Sequence, residues 1–150
     1  MKPLFVLLSV FATSLFATKI FHEKFGYALS GRIAMSMMLL FTAIGHFAFA
    51  EGMTLMVPPF VPMKTAMVYL TGVIEIAAVI GLFIARVRTV TAWLLIAFFI
   101  LVLPANIYAA IYHIDYQKGT FDGKGLTYLW FRVPLQILFI VWVYLSTIKK

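Results

Sequence analysis

An all-α membrane protein, a four-helix transmembrane bundle preceded by one additional N-terminal transmembrane helix, is the fold class this sequence predicts. Three observations predict it. Hydrophobic residues make up 64% of the chain and charged residues 11%, where a soluble domain is roughly half apolar and a quarter charged. The apolar residues gather in five stretches, 3–20, 31–50, 65–85, 90–112 and 127–147, each near the ~20 residues that a helix needs to cross ~30 Å of hydrocarbon. The links between them are too short for a soluble domain of about 50 residues or more, so a nucleotide, flavin or iron–sulfur domain would have to come from a partner chain.

The first span, within "MKPLFVLLSVFATSLFATKIF", has the single basic residue and apolar run of a secretory signal. Cleavage after Ala17 would put bulky Leu15 where a small residue is wanted, and basic residues follow, so residues 1–22 are read as a retained anchor helix and 28–150 as the four-helix domain. Ser9, Thr13 and Ser14 are its only polar residues between the ends, which suits packing or anchoring.

The second span carries Thr42 and His46 four residues apart, on one face. The segment after it, "TLMVPPFVPMK" at 54–64, is apolar yet cannot be helical through Pro58, Pro59 and Pro62. It reads equally as a lid folded over the bundle end or as a stiff connector. The third span would be an unbroken apolar helix but for Glu75, with Thr71 four residues before it. The fourth contains Pro104 and Asn106; the fifth carries Tyr128, Arg132 and Gln136 at i, i+4, i+8, with Pro134 between the last two. Each proline frees the carbonyl four residues earlier, at Ile100 and Trp130. The connection 113–126 contains "GTFDGKG", which lacks the spacing of a phosphate loop and reads as a turn with its reversal at Asp122-Gly123.

Orientation follows from charge. Lys19, Lys24, Arg32, Arg86, Arg88, Lys149 and Lys150 fall on one side, Lys2, Lys64, Lys118 and Lys124 on the other. The positive-inside rule puts the first group in the cytoplasm, with the N-terminus outside. The net charge of +7 is thus a topology signal and no nucleic-acid patch.

Counted from the outer ends, Glu75 lies about 15 Å deep, His46 about 6 Å, Asn106 about 9 Å, Arg132 about 8 Å and Gln136 about 14 Å. Lipid cannot hydrogen-bond these groups, and a charge at the bilayer centre costs about 3 kcal/mol on insertion scales, so the polar stripes are expected to face one another. Glu75 and Arg132 are the expected pair, with Glu75 either ionised and held by Arg132 or protonated because desolvation disfavours its charge. His46, Glu75, Asn106, Arg132, Gln136 and Tyr128 form the candidate ligand-binding set, with Tyr108 and Trp130 as further aromatic walls. A polar clasp that only fixes helix register is the competing reading.

Other chemistries are discounted. The chain has no cysteine, which removes dithiol relays, thiolate metal sites and iron–sulfur ligation. Haem between His46 and His113, and copper on methionines such as Met53 and Met56, are not expected. No metal and no intrinsic cofactor is assigned.

Taken in order, "GRIAMSMMLLFTAIGHF", "VPPFVP", "VYLTGVIEIAAVIGL", "LVLPANIYAA" and "WFRVPLQILFIVWVY" resemble the DoxX family of small bacterial membrane proteins, over about residues 31–145. The resemblance implies a four-helix core in a bacterial inner membrane, which the first span departs from. It carries over the motif positions Gly45, His46, Pro59, Pro62, Gly72, Glu75, Pro104, Asn106, Arg132, Pro134 and Gln136. Some members of that family are associated with quinone-linked sulfur oxidation or with membrane complexes handling oxidative or thiol stress. Three functional expectations stay open: a subunit without catalytic groups of its own that binds a quinone or similar amphipathic molecule, a proton-coupled transporter or lipid-handling protein, and a scaffold for partner subunits. Partners expected besides the lipid bilayer are redox subunits and further copies of the chain.

Overall fold

The computed structural model describes residues 2–22 and 26–149, and within them the chain is all helical apart from its connections. Of the basic residues counted above, Lys24 and Lys150 lie outside the described residues, as does Met1. The helices are α1 (Lys2–His22), α2 (Tyr27–Ala48), α3 (Ala50–Met56), α4 (Lys64–Phe83), α5 (Arg88–Ile111) and α6 (Leu126–Val143), and a π-helical turn at Tyr144–Ile148 extends α6. Five are long and apolar enough to cross a membrane: α1, α2, α4, α5, and α6 with its turn.

The four-helix unit closes as a ring. α2 lies against α4, α4 against α5 and α5 against α6, and the α6 chain returns to α2 mainly through its π turn. α4 and α6 are therefore diagonal across the bundle. α1 packs outside the ring along α2, inserting Leu7 into the core, and its Phe11 meets Trp142 edge-on at 4.8 Å. Met35, Met38, Leu39, Leu82, Leu95, Phe99, Phe139 and Val143 fill the interior. One end carries Lys19, Arg32, Arg86, Arg88 and Lys149, and is called here the basic end; the other carries α3 and the 113–125 connection, and is the loop end.

Helix association in lipid rests on close contact and hydrogen bonds, since tails are as apolar as the side chains. Gly72 lets α4 pack closely on α2 toward the loop end: a Cβ there would sit 3.1 Å from His46 Cβ and 3.1 Å from the Phe47 ring. At the basic end Trp142 Nε1 donates to Gly31 O at 3.0 Å. Arg88 closes the end of α4 by donating to Leu82 O (2.9 Å) and Phe83 O (3.3 Å), two of the carbonyls a helix terminus leaves without partners.

Three local expectations change. The second span breaks at Phe49 (φ −117, ψ 30), and α3 continues to Met56, so residues 54–56 are helical and only 57–63 are not. Helix runs up to the residue before Val57, and the prolines begin at 58, as their missing N–H groups require. α3 itself covers the loop end, lying against α4 and α5, with Gly52 so close to the Tyr116 backbone that a Cβ has no room. The loop 113–125 reverses at 116–119 instead of at Asp122-Gly123. The cause is Asp115, whose carboxylate accepts the Gln117 (3.0 Å) and Lys118 (3.4 Å) amides while its backbone pairs with Thr120. Asp122 instead accepts the Thr120 hydroxyl, and that bond, helped by Lys118, holds its carboxyl below the usual range.

Substituting Gly72→Val should destabilise the bundle by about 1–3 kcal/mol, the usual cost of overfilling a close contact. Gly45→Ala should be nearly neutral, because a Cβ there meets only the Met53 methyl at 3.7 Å. Unfolding midpoints in mixed detergent compare the two directly.

Candidate functional site

Glu75 sits about midway along the 20-residue α4 and is 5% exposed, so it faces the bundle and not lipid. Its partner is His46 on α2: Nε2 lies 3.6 Å from Glu75 Oε2, with the two side chains 18% and 6% exposed. Oε2 has no hydrogen bond. On the far side of the ring, His46 Nδ1 is 3.1 Å from Thr71 Oγ1, one turn before Glu75 on the same face of α4.

The Thr71 hydroxyl has a single hydrogen, which can go to Val68 O at 2.6 Å or to His46 Nδ1. Given to Val68, it leaves Thr71 to accept from Nδ1–H; given to His46, it leaves the ring hydrogen on Nε2, facing Glu75. Either way, the 3.6 Å approach of Nε2 to Oε2 is longer than a hydrogen bond.

A second polar set lies on α5 and α6. Asn106 Oδ1 accepts from Tyr128 Oη (3.2 Å) and from Arg132 Nε (3.3 Å), while Asn106 Nδ2 donates back to Val102 O (3.2 Å). One step deeper, Gln136 Nε2 donates to Phe99 O at 2.6 Å. That acceptor is the residue before Ile100, whose carbonyl Pro104 leaves without its helical N–H. Ile100 is 55% exposed and Phe99 5%, so Phe99 O is the carbonyl on the inner face.

All six sequence-selected residues thus point into the bundle or its edge, but in two sets. The expected Glu75–Arg132 ion pair does not form. Side chains on a helix lean toward its N-terminus. α4 and α6 both begin at the loop end, so Glu75 and Arg132 lean the same way, keep their offset in depth and sit on diagonal helices. α2 runs opposite to its neighbour α4, so His46, the shallower of the two, leans down to meet Glu75; Asn106 and Arg132 start at nearly the same depth on the neighbouring helices α5 and α6 and meet directly.

One aromatic expectation falls away: Trp130 is 84% exposed on the outside of α6 and cannot wall an interior site. Tyr108 is half-buried and packs on Tyr112, ring centroids 4.4 Å apart. Thr42 returns its hydroxyl to Leu39 O and stays out of the His46 set. Among the described residues, no three metal-ligating side chains are grouped to hold an ion. A cleft of about 300 Å³ opens at the loop end, beside Phe47 and Tyr69, and none of the six residues lines it.

The sequence matches a family described as a domain of unknown function (DUF8561) over residues 35–147, a stretch that contains both polar sets. No curated protein and no solved structure matches the chain.

The two arrangements can be told apart by ¹⁵N resonances of the His46 ring. The Thr71 contact should hold the wild-type ring in one tautomer, and Thr71→Val should return it to the mixture of an unconstrained imidazole. Identical ring resonances in the wild type and the variant would overturn the contact.

Proposed function

The chain belongs to the DUF8561 family, a domain of unknown function, and from that premise we propose that it is a multi-pass inner-membrane protein of bacteria that binds a quinone-like or other amphipathic molecule within the bundle. In this reading the basic end faces the cytoplasm and the loop end faces outward, following the lysine and arginine distribution. The polar head of the ligand lies at the depth of Glu75 and Asn106, in the outer half of the membrane.

The observation that carries the reading is the buried Glu75 Oε2, without a hydrogen bond and 3.6 Å from His46 Nε2. A buried carboxyl group at this depth with an oxygen left unpartnered is an expensive arrangement for a packing device, and intramembrane ionisable groups of this kind mark ligand or proton sites. A ring carbonyl is an acceptor, and each set can offer a donor: the His46 imidazole on one side, and on the other the Arg132 guanidinium N–H groups not given to Asn106. The chain has no cysteine, and electrons for any quinone chemistry belong to partner subunits. The likeness of its motif order to the DoxX family is consistent with a place beside such subunits and forms part of this proposal.

The buried, unpartnered Glu75 oxygen also favours a second reading, in which Glu75 takes up and releases a proton as a substrate crosses. Purification from native membranes, followed by extraction and mass spectrometry of bound small molecules, tests the first. The wild type should retain a lipophilic ring compound, and Glu75→Gln and Arg132→Ala should each reduce retention about 10-fold or more, the scale of losing one charge-assisted hydrogen bond. Absence of any retained compound, or retention indifferent to both changes, counts against it. Proton-coupled uptake by reconstituted liposomes, lost in Glu75→Gln, would put the second reading in its place.

A further inference from the structure

The cleft at the loop end has a chemistry of its own. We propose that it binds an organic ammonium group, held between two aromatic pairs and the Glu51 carboxylate. On the α2–α4 side, Phe47 and Tyr69 stack with centroids 5.8 Å apart and planes 20° apart; on the α3 side, Phe49 meets Tyr116 edge-on at 6.2 Å and 79°. All four line the same cleft of about 300 Å³, together with Glu51 and Lys118. Aromatic faces carry negative quadrupole density, and converging rings with a nearby carboxylate are the arrangement that recognises a quaternary or primary ammonium.

The charges on the rim support a cation over an anion. Lys118 is the basic residue of the lining, and its Nζ lies 3.9 Å from Asp115 Oδ2 and 3.9 Å from Asp122 Oδ2, so two carboxylates offset it. Glu51 is exposed and makes no ion pair among the described residues. The lining therefore presents an uncompensated negative charge beside four rings. Aromatic residues at a membrane interface often serve only as an anchoring belt. Here both pairs line one hollow, and the buried Ala50 and Gly52 hold α3 against the loop that borders it.

The ammonium could be supplied by a soluble amine or by a lipid headgroup, and one titration separates the two. The full-length protein is placed in nanodiscs of phosphatidylglycerol alone and titrated calorimetrically with choline chloride and, separately, with its neutral isostere 3,3-dimethylbutan-1-ol. Choline should bind about tenfold or more tightly than the isostere, and Glu51→Gln and Tyr69→Leu should each erase most of that difference. If phosphatidylcholine doped into the discs weakens choline binding, the occupant is a lipid headgroup; if it does not, a soluble cation. Equal affinity for choline and the isostere, no choline binding in the wild type, or a preference untouched by both substitutions would overturn the proposal.

Discussion

Hydrocarbon accepts no hydrogen bonds, and that constraint organises this bundle more than any single apolar contact does. Most buried polar side chains on the inner faces are satisfied by a neighbouring helix or by their own, the Ser30 and Ser36 hydroxyls and Glu75 Oε2 being the exceptions among the described residues. Gln136 ties α6 to the Phe99 carbonyl of α5, Asn106 gathers Tyr128 and Arg132 while donating to Val102, and Trp142 ties the α6 chain to Gly31 of α2. These ties cluster where prolines have removed backbone donors. Pro104 lies between Val102 and Asn106, and the amide donors of Asn106 and Gln136 fall on carbonyls on either side of the one it frees. The side chains thus brace a ladder that the proline interrupts, which is how a proline is accommodated at membrane depth.

Much of this was legible in the sequence, because the bilayer simplifies the reading. Span length is set by hydrocarbon thickness, so five apolar stretches sufficed to place five spanning helices to within a few residues. The polar stripes were legible from 3.6-residue periodicity, and Thr71 with Glu75 and Tyr128 with Arg132 do share faces. What periodicity does not encode is which stripe meets which. That depends on which helices are neighbours: Glu75 and Arg132 differ by about 7 Å in depth on diagonal helices, while His46 sits on the neighbour of α4 and Asn106 on the neighbour of α6. The break at Phe49 was equally hidden. Its neighbours are apolar and helix-compatible, and only the contact of Gly52 with the Tyr116 backbone, a tertiary feature, gives α3 its place.

The turn at 116–119 shows a related limit. Asp122-Gly123 has the stronger local signature for reversal, but Asp115 captures two amides with one carboxylate and settles the turn earlier. The four rings of the loop-end cleft were invisible for a different reason. Phe47, Phe49, Tyr69 and Tyr116 come from separate elements, and each alone reads as an interfacial aromatic of the usual kind.

The two polar sets differ in what stability can explain. The Asn106 set consists of hydrogen bonds from neutral and charged donors to one amide oxygen, and it holds α5 to α6 whatever else the protein does. The His46–Glu75 contact is not of that kind. Burying an acid opposite a base costs several kcal/mol per charge before any attraction is counted, and apolar replacements of similar volume usually serve a bundle as well or better. Here the geometry does not even complete the contact: 3.6 Å is longer than a hydrogen bond, and Oε2 has none. Gly72 draws α2 and α4 together just beside it, so the loose fit is not a consequence of helices held apart. Among the described residues, Glu75 Oε2 joins the Ser30 and Ser36 hydroxyls as the buried polar side-chain atoms left without a hydrogen bond, and of the three residues only Glu75 can carry a charge, so it is where helix packing explains least.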